Sequence, residues 1–346
     1  MYSYILMIVL LGGYPLQAAS KYTKELPPES KTELSYEALQ AIGVRTFSYT
    51  DEVRRRPVVV ELWYPSDAGH SFERAEDSLW IHPKEMRDVP WAGEKKTFPL
   101  IMMSHGHGGD RRDRSWLADR LVRHGFVVAS VDHYGNTSST FNLLASLKFW
   151  ERGKDVSFAL DRLLEEPFLA DRIDQARIGF VGYSLGGMTG LGLAGAQVVA
   201  IEEALNQIMK KHTEVQPEMV AGLNVQEAKQ SLKDERIRAM LLICPASFVY
   251  PPQSLKEIHI PIGLVFAPHD EVLPFQEHAE LIIQHVGPAK VKMMHKETSH
   301  YSFLNRMSEE GKKFFKKHFS RDPLYSDQTI HQEVGLFTVD FFREFL

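Results

Sequence analysis

The stretch Arg177-Ile-Gly-Phe-Val-Gly-Tyr-Ser-Leu-Gly-Gly-Met188 decides how the rest of the chain is read. An apolar run, 178–182, enters the pattern Gly-x-Ser-x-Gly, and residues 189–196 beyond it are compatible with a helix. A serine held between a strand and a helix in this pattern sits on a sharp, strained turn that exposes its hydroxyl. Gly182 and Gly186 are required where side chains would collide across such a turn, and Gly187 adds further room. Ser184 is therefore the candidate nucleophile.

Working outward, residues 100–104, 126–131, 240–244, 262–266 and 291–294 are further short apolar runs. Between them, Trp116, Leu117, Leu121 and Val122 fit one helix face, and Val156, Leu160, Leu163 and Leu164 fit another. Strands alternating with amphipathic helices predict a mainly parallel sheet with helices on both faces. Ahead of this pattern, residues 44–49 and 58–64 are rich in β-branched and aromatic types and predict a hairpin around the charged turn 51–56. Residues 66–98 show no period and read as a long surface loop. Residues 197–236 interrupt the rhythm with a polar, helix-prone insertion, expected to form a cap or lid near the site or else a surface excursion. Residues 329–346, with Val334, Phe337, Val339, Phe341, Phe342 and Phe345, predict a packing helix.

A serine hydroxyl is a poor nucleophile at neutral pH, so it needs a base and a third group to orient that base. In a fold of this kind both lie downstream, acid before histidine, in loops after later strands. The run 262–266 ends at Ala267-Pro-His-Asp270, which makes Asp270 the expected acid; Glu271 is the neighbour that could replace it. The loop Thr298-Ser-His-Tyr-Ser-Phe303 offers His300 as the base, while His295 lies closer to the strand and reads as a surface or packing histidine.

The tetrahedral intermediate of such a reaction carries a negative oxygen that needs preorganised N–H donors, each worth about 3 kcal/mol. One is expected from the amide of Leu185, directly after the nucleophile. The other is expected from the amide of His107 in Ser104-His-Gly-His-Gly-Gly109, with Gly106 permitting the turn. His105, His107 and Asp110, joined by His133, His269 and His295, would also suit a zinc site. That reading leaves the Ser184, Asp270, His300 order as a coincidence, so no metal and no cofactor are expected, and His105 reads as a buried brace. Arg152 and Asp155, three apart on a helix, are expected to pair with each other or with a loop, and Asp132 and His133, closing a strand on the active-site edge, to make structural hydrogen bonds or else to line the substrate pocket.

The 346 residues include 40 Lys and Arg against 45 Asp and Glu, a net charge of −5 with no basic stripe, which argues against a nucleic-acid partner. An apolar run, residues 4–11, followed by small residues near Ala18 and Ala19 has the shape of a signal peptide, although no Lys or Arg precedes it. The expected organisation is a leader over 1–19 and one domain over 20–346, secreted or periplasmic. Cys244 is the only cysteine, which rules out an intramolecular disulfide.

Taken jointly, Val60-Glu-Leu-Trp-Tyr-Pro65, the His105–Gly109 loop with its strand, Val131-Asp-His-Tyr-Gly-Asn136, Arg152-Gly-Lys-Asp-Val156, the Ser184 turn and His269-Asp270 resemble the platelet-activating factor acetylhydrolase and dienelactone-hydrolase-like branch of the α/β-hydrolases. The resemblance implies the α/β-hydrolase fold and a cofactor-free serine esterase. Its expected substrates are small-molecule or lipid esters: short or oxidised acyl esters, phospholipid acyl groups, or polyesters in related enzymes, with transient contact at a lipid surface. Dienelactone hydrolases proper use a cysteine where Ser184 stands. The animal acetylhydrolases carry their acid after an earlier strand, where this chain has Leu242-Ile-Cys-Pro-Ala-Ser247 and no carboxylate. An acyltransferase, a peptidase and a non-catalytic lipid-binding relative are the alternatives on the same fold.

Overall fold

The computed structural model describes residues 41–67, 79–93, 96–199, 201–211, 214–268, 270–295, 297–319 and 328–346. The expected leader, residues 1–19, lies outside the described residues, as does His269.

Among the described residues nine strands make one sheet. In chain order they are β1 (Ala41–Asp51), β2 (Arg56–Ser66), β4 (Met86–Arg87), β5 (Phe98–Ser104), β6 (Val127–Val131), β7 (Ile173–Tyr183), β8 (Ile237–Ile243), β9 (Ile262–Phe266) and β10 (Ala289–Met293). Their order across the sheet is β10-β9-β8-β7-β5-β6-β2-β1-β4. From β6 through β10 every pairing is parallel, and β2 joins this block antiparallel to β6. All of β5, β6 and β9 is buried, so these strands read as unbroken apolar runs, as parallel strands covered on both faces must. The hairpin β1–β2 has the expected pairing, Val44 opposite Trp63 and Tyr49 opposite Val58. Its burial alternates along 45–50 because one face is solvated.

Alternation along β7 separates the two helical layers. Gly179 faces Phe342 of the C-terminal helix and Leu346 just beyond its end, whereas the next residue, Phe180, faces Gly190 in the helix after Ser184. The first layer holds α1 (Ser115–Arg123) and α10 (Gln328–Phe345), which pack together. In α10, Val334, Val339, Phe341 and Phe342 are buried, as the apolar spacing predicts, whereas Phe337 and Phe345 are only partly so. Each fully buried aromatic contributes about 1.5–3 kcal/mol by leaving water. The second layer holds α3 (Glu151–Glu165), buried through Val156, Ala159, Leu160 and Leu163, and α4 (Leu185–Leu193).

Two sequence expectations need correction or refinement. Residues 66–98 are not simply a surface loop: β4 adds to the sheet edge, and β3 (Trp80–Ile81) pairs with β11 (Arg306–Met307). Trp80, His82, Glu85 and Met86 are buried there, and Glu85 accepts from Trp63 Nε1 at 2.8 Å. Two-residue strands are too short to leave a period in the sequence. The insertion 197–236 is helical as expected, with α5 (Ile201–Lys211), α6 (Pro217–Ala221) and a 3₁₀ turn, Val225–Lys229. It docks on the second layer, where Leu232 packs against Gly153 and Gly192.

The parallel register aligns Ser104 with both Val131 and Gly182, Tyr183 with Ile243, and Ile243 with Val265. The carboxyl ends of five adjacent strands therefore lie along one edge, and the loops beyond them share it.

Candidate active site

Ser184 stands between β7 and α4 with φ 55° and ψ −116°, in the left-handed half of backbone space that side chains rarely occupy. Such a residue costs about 1–3 kcal/mol and persists only where its surroundings impose it. Here the Ser184 N–H donates to the Ile243 carbonyl at 2.9 Å, and the Ser184 carbonyl accepts from Gly187 at 2.9 Å and Ala246 at 3.1 Å. The flanking glycines are explained by close approach. A Cβ on Gly182 would collide with the Gly186 carbonyl, and one on Gly186 with the Ser104 carbonyl.

The three residues expected to act together do converge. His300 opens a 3₁₀ turn, His300–Phe303, and its Nε2 lies 3.0 Å from Ser184 Oγ. Its Nδ1 lies 2.7 Å from Asp270 Oδ2. The other Asp270 oxygen accepts the amides of Val272 at 2.9 Å and Leu273 at 2.7 Å. Burial alone would raise the Asp270 pKa, but His300 and these amides outweigh it and hold the carboxyl below its usual range. Ser184 is 8% exposed and His300 only 2%, so the Ser184–His300 contact is largely shielded from water.

Glu271, the alternative acid, has another partner: its Oε2 accepts the His300 backbone N–H at 3.1 Å. The His300 carbonyl accepts from Tyr183 Oη at 2.9 Å. The main chain of His300 is thus held on both sides. Asn305 fixes the same loop further along, with its N–H on the Asp113 carbonyl at 2.8 Å and its Nδ2 on the Arg112 carbonyl at 2.8 Å. Sequence reading missed Tyr183 and Asn305, because neither spacing nor residue type marks them. His295 is exposed, as expected.

The loop after β5 lies against Ser184. A Cβ on Gly106 would stand 3.3 Å from Ser184 Cβ and 3.0 Å from the Tyr183 ring, so the peptide leading to His107 passes directly beside the serine. Leu185 is the first residue of α4, where an amide has no acceptor within its own helix. His105 is buried: Nε2 accepts the His133 amide at 3.2 Å, which leaves the proton on Nδ1, 2.7 Å from the Gly106 carbonyl. His133 lies between Ser104 Oγ at 2.8 Å and Asp155 Oδ2 at 3.1 Å. Burial, reinforced by the charge of Arg152, pushes both histidines well below their ordinary pKa. Asp155 also receives Arg54 at 2.7 Å and Arg56 at 3.0 Å, so its partners are these arginines and His133 and not Arg152. The Asp132 carboxylate accepts twice from Arg111, from its backbone N–H at 2.7 Å and from Nη1 at 2.6 Å.

Of the histidines that suggested zinc, His105, His133 and His107 are engaged separately, by Gly106, by Ser104 and Asp155, and by Asn136 at 3.0 Å. Cys244, Asp270 and His300 bring three ligand-type atoms within 4.8 Å, but there the imidazole and carboxylate bond each other. Burial pushes the Cys244 thiol well above its usual pKa, with the Asp270 charge adding to the effect. Among the described residues no helix is long and apolar enough to cross a membrane.

A parallel sheet wrapped on both faces, with a serine elbow at its carboxyl edge, defines the α/β-hydrolase fold. The solved ferulic acid esterase from Streptomyces cinnamoneus superposes with a TM-score of 0.59 at 18% identity, over 88% of this chain and 90% of that one. A family model described as platelet-activating factor acetylhydrolase, isoform II, matches residues 86–146, from β4 through the histidine-glycine loop to Ser146. The cutinase est2 of Thermobifida alba is 34% identical over 103 residues, 29% of this chain and 31% of that protein. The bis(hydroxyethyl) terephthalate hydrolase of Streptomyces coelicolor is 32% identical over 98 residues, 28% of this chain and 29% of that protein. The chain thus spans about a third of the length of the curated relatives it matches. All these names fall within the esterase branch of the α/β-hydrolases.

Proposed function

We propose that the protein is a serine carboxylic-ester hydrolase in which Ser184 is the nucleophile, His300 the general base and Asp270 the residue that orients it. The observation that carries this reading is the unbroken line from Ser184 Oγ to His300 Nε2 at 3.0 Å and from His300 Nδ1 to Asp270 Oδ2 at 2.7 Å. Asp270 holds the tautomer that leaves Nε2 free to accept the serine proton. The hydroxyl then attacks the ester carbonyl, and the negative oxygen is received by the amides of Leu185 and His107. His300 returns the proton to the leaving alcohol and next activates water, which releases the acid from the acyl-enzyme. No cofactor enters any step.

The substrates we propose are short-chain acyl esters, phospholipid acyl groups or the ester links of polyesters. The names of the matched relatives, two of them cutinase and bis(hydroxyethyl) terephthalate hydrolase, support an ester as the reacting group. The test is covalent. A fluorophosphonate probe should label the wild-type protein on the peptide that contains Ser184 and fail to label His300→Ala at the same rate. Labelling elsewhere, or labelling that ignores His300→Ala, would overturn the assignment.

A further inference from the structure

We infer that Arg152 is a positioning residue of the oxyanion hole, tying the loop that carries the His107 amide to the helix that carries the Leu185 amide. The inference rests on the assignment of those two amides made above.

Arg152 lies in the first turn of α3 and is 3% exposed. Its guanidinium reaches two structures that have no covalent reason to stay in register. Toward the loop, Nη2 donates to the His105 carbonyl and to Ser104 Oγ at 3.2 Å. Toward the helix, Nε donates to Thr189 Oγ1 at 3.1 Å, and the Thr189 hydroxyl donates in turn to the Leu185 carbonyl at 3.1 Å. The remaining arm, Nη1, donates to Asn136 Oδ1 at 2.8 Å. That same oxygen accepts the Gly108 amide at 3.3 Å, and Asn136 Nδ2 donates to His107 Nδ1 at 3.0 Å and to Ser146 Oγ at 2.6 Å.

His107 is consequently bracketed. The carbonyl two residues before it, its own ring and the amide after it are fixed by Arg152 or by the Asn136 that Arg152 holds. The peptide between His105 and Gly108 has little freedom left to turn its N–H away. Thr189 belongs to the first turns of α4, so the Leu185 end is fixed through the same guanidinium. Among the described residues Arg152 makes no ion pair, since the nearby Asp155 is taken by Arg54, Arg56 and His133. A buried cation bonded only to neutral acceptors gains little stability from its charge, and its planar fork is the geometry that bridges several acceptors at once.

The two donors must sit about 2.7–3.1 Å from the oxyanion and not from the ground-state carbonyl, so loosening the tie should act on the transition state. The experiment compares Arg152→Lys, whose single ammonium cannot span loop and helix, with Thr189→Val, which cuts only the helix end. Each is assayed on p-nitrophenyl acetate per titrated active site and against a trifluoromethyl ketone that forms a tetrahedral adduct.

We expect kcat to fall by about 10- to 100-fold with KM within about threefold, and the inhibitor constant to rise by the same factor as kcat/KM falls. Displacing a donor by about 1 Å is enough for a change of that size. A variant with wild-type kcat, or with lowered kcat/KM but unchanged ketone affinity, overturns the inference. Should Arg152→Lys not fold, Thr189→Val decides alone by the same two readouts. A wild-type protein that neither turns over ester nor takes the fluorophosphonate label fails at the underlying reading instead.

Discussion

Asp270 grips His300 through Nδ1 at 2.7 Å while two backbone amides saturate the carboxylate's other oxygen, so the acid has only one orientation in which to meet the imidazole. Asp270→Asn would keep the volume but offer an amide N–H to Nδ1 and favour the tautomer whose Nε2 carries a proton. Ester turnover at neutral pH should fall by about 10⁴-fold with little change in KM, measured by steady-state kinetics. Glu271→Gln is expected to do far less, because a Gln oxygen still accepts the His300 main-chain N–H.

The pair His105 and His133 makes stability depend on pH. Burial first, and then the Arg152 charge, depress both pKa values in the folded state. Below about pH 6.5 the unfolded chain protonates these groups and the folded chain does not, so the unfolded state binds more protons and stability is lost on acidification. Each histidine contributes a slope of up to about 1.4 kcal/mol per pH unit in that window. Urea unfolding at pH 7.5, 6.5 and 5.5 should show the loss, and His133→Gln should flatten it. Asp270 has a depressed pKa as a carboxyl group, so its share is present above about pH 4 and disappears only as pH falls further.

At the elbow, Gly186→Ala would drive a methyl group into the Ser104 carbonyl. Neither partner is a flexible side chain, so the strain should exceed the usual overpacking cost of about 1–3 kcal/mol. Thermal unfolding should show a markedly lowered midpoint, and whatever protein folds should have lost ester turnover as the Leu185 and His107 amides part.

Cys244 is buried beside Asp270 and its thiol pKa is pushed well upward, so the thiolate that reacts is scarce. Iodoacetamide at pH 8 should leave the folded protein unmodified and fully active, and should alkylate Cys244 in 8 M urea. Mass spectrometry of the tryptic peptide distinguishes the two.

The convergence of Ser184, Asp270 and His300 was legible because each follows an apolar strand, and the chain order serine, carboxylate, histidine narrows which side chains can meet. Strand edges were legible to within a few residues, except that β7 begins at Ile173, where polar residues at Asp174 and Gln175 hid its exposed start. Tyr183, Asn136, Asn305 and Thr189 were not legible as site residues. Their roles depend on side-chain hydrogen bonds between segments far apart in the chain, and such bonds leave no spacing in the sequence. Arg152 shows the limit most plainly. Its position three before Asp155 left open a local pair or a pair with a loop, and tertiary packing turns the two side chains toward different partners, Asn136 and Arg56.

The most direct measurement is kcat/KM for p-nitrophenyl butyrate with wild-type protein and with Ser184→Ala, both shown to be folded by circular dichroism. The expected result is measurable wild-type turnover and a loss of at least about 10⁴-fold in the variant. Turnover by Ser184→Ala within tenfold of wild type would contradict a mechanism in which this serine attacks the ester.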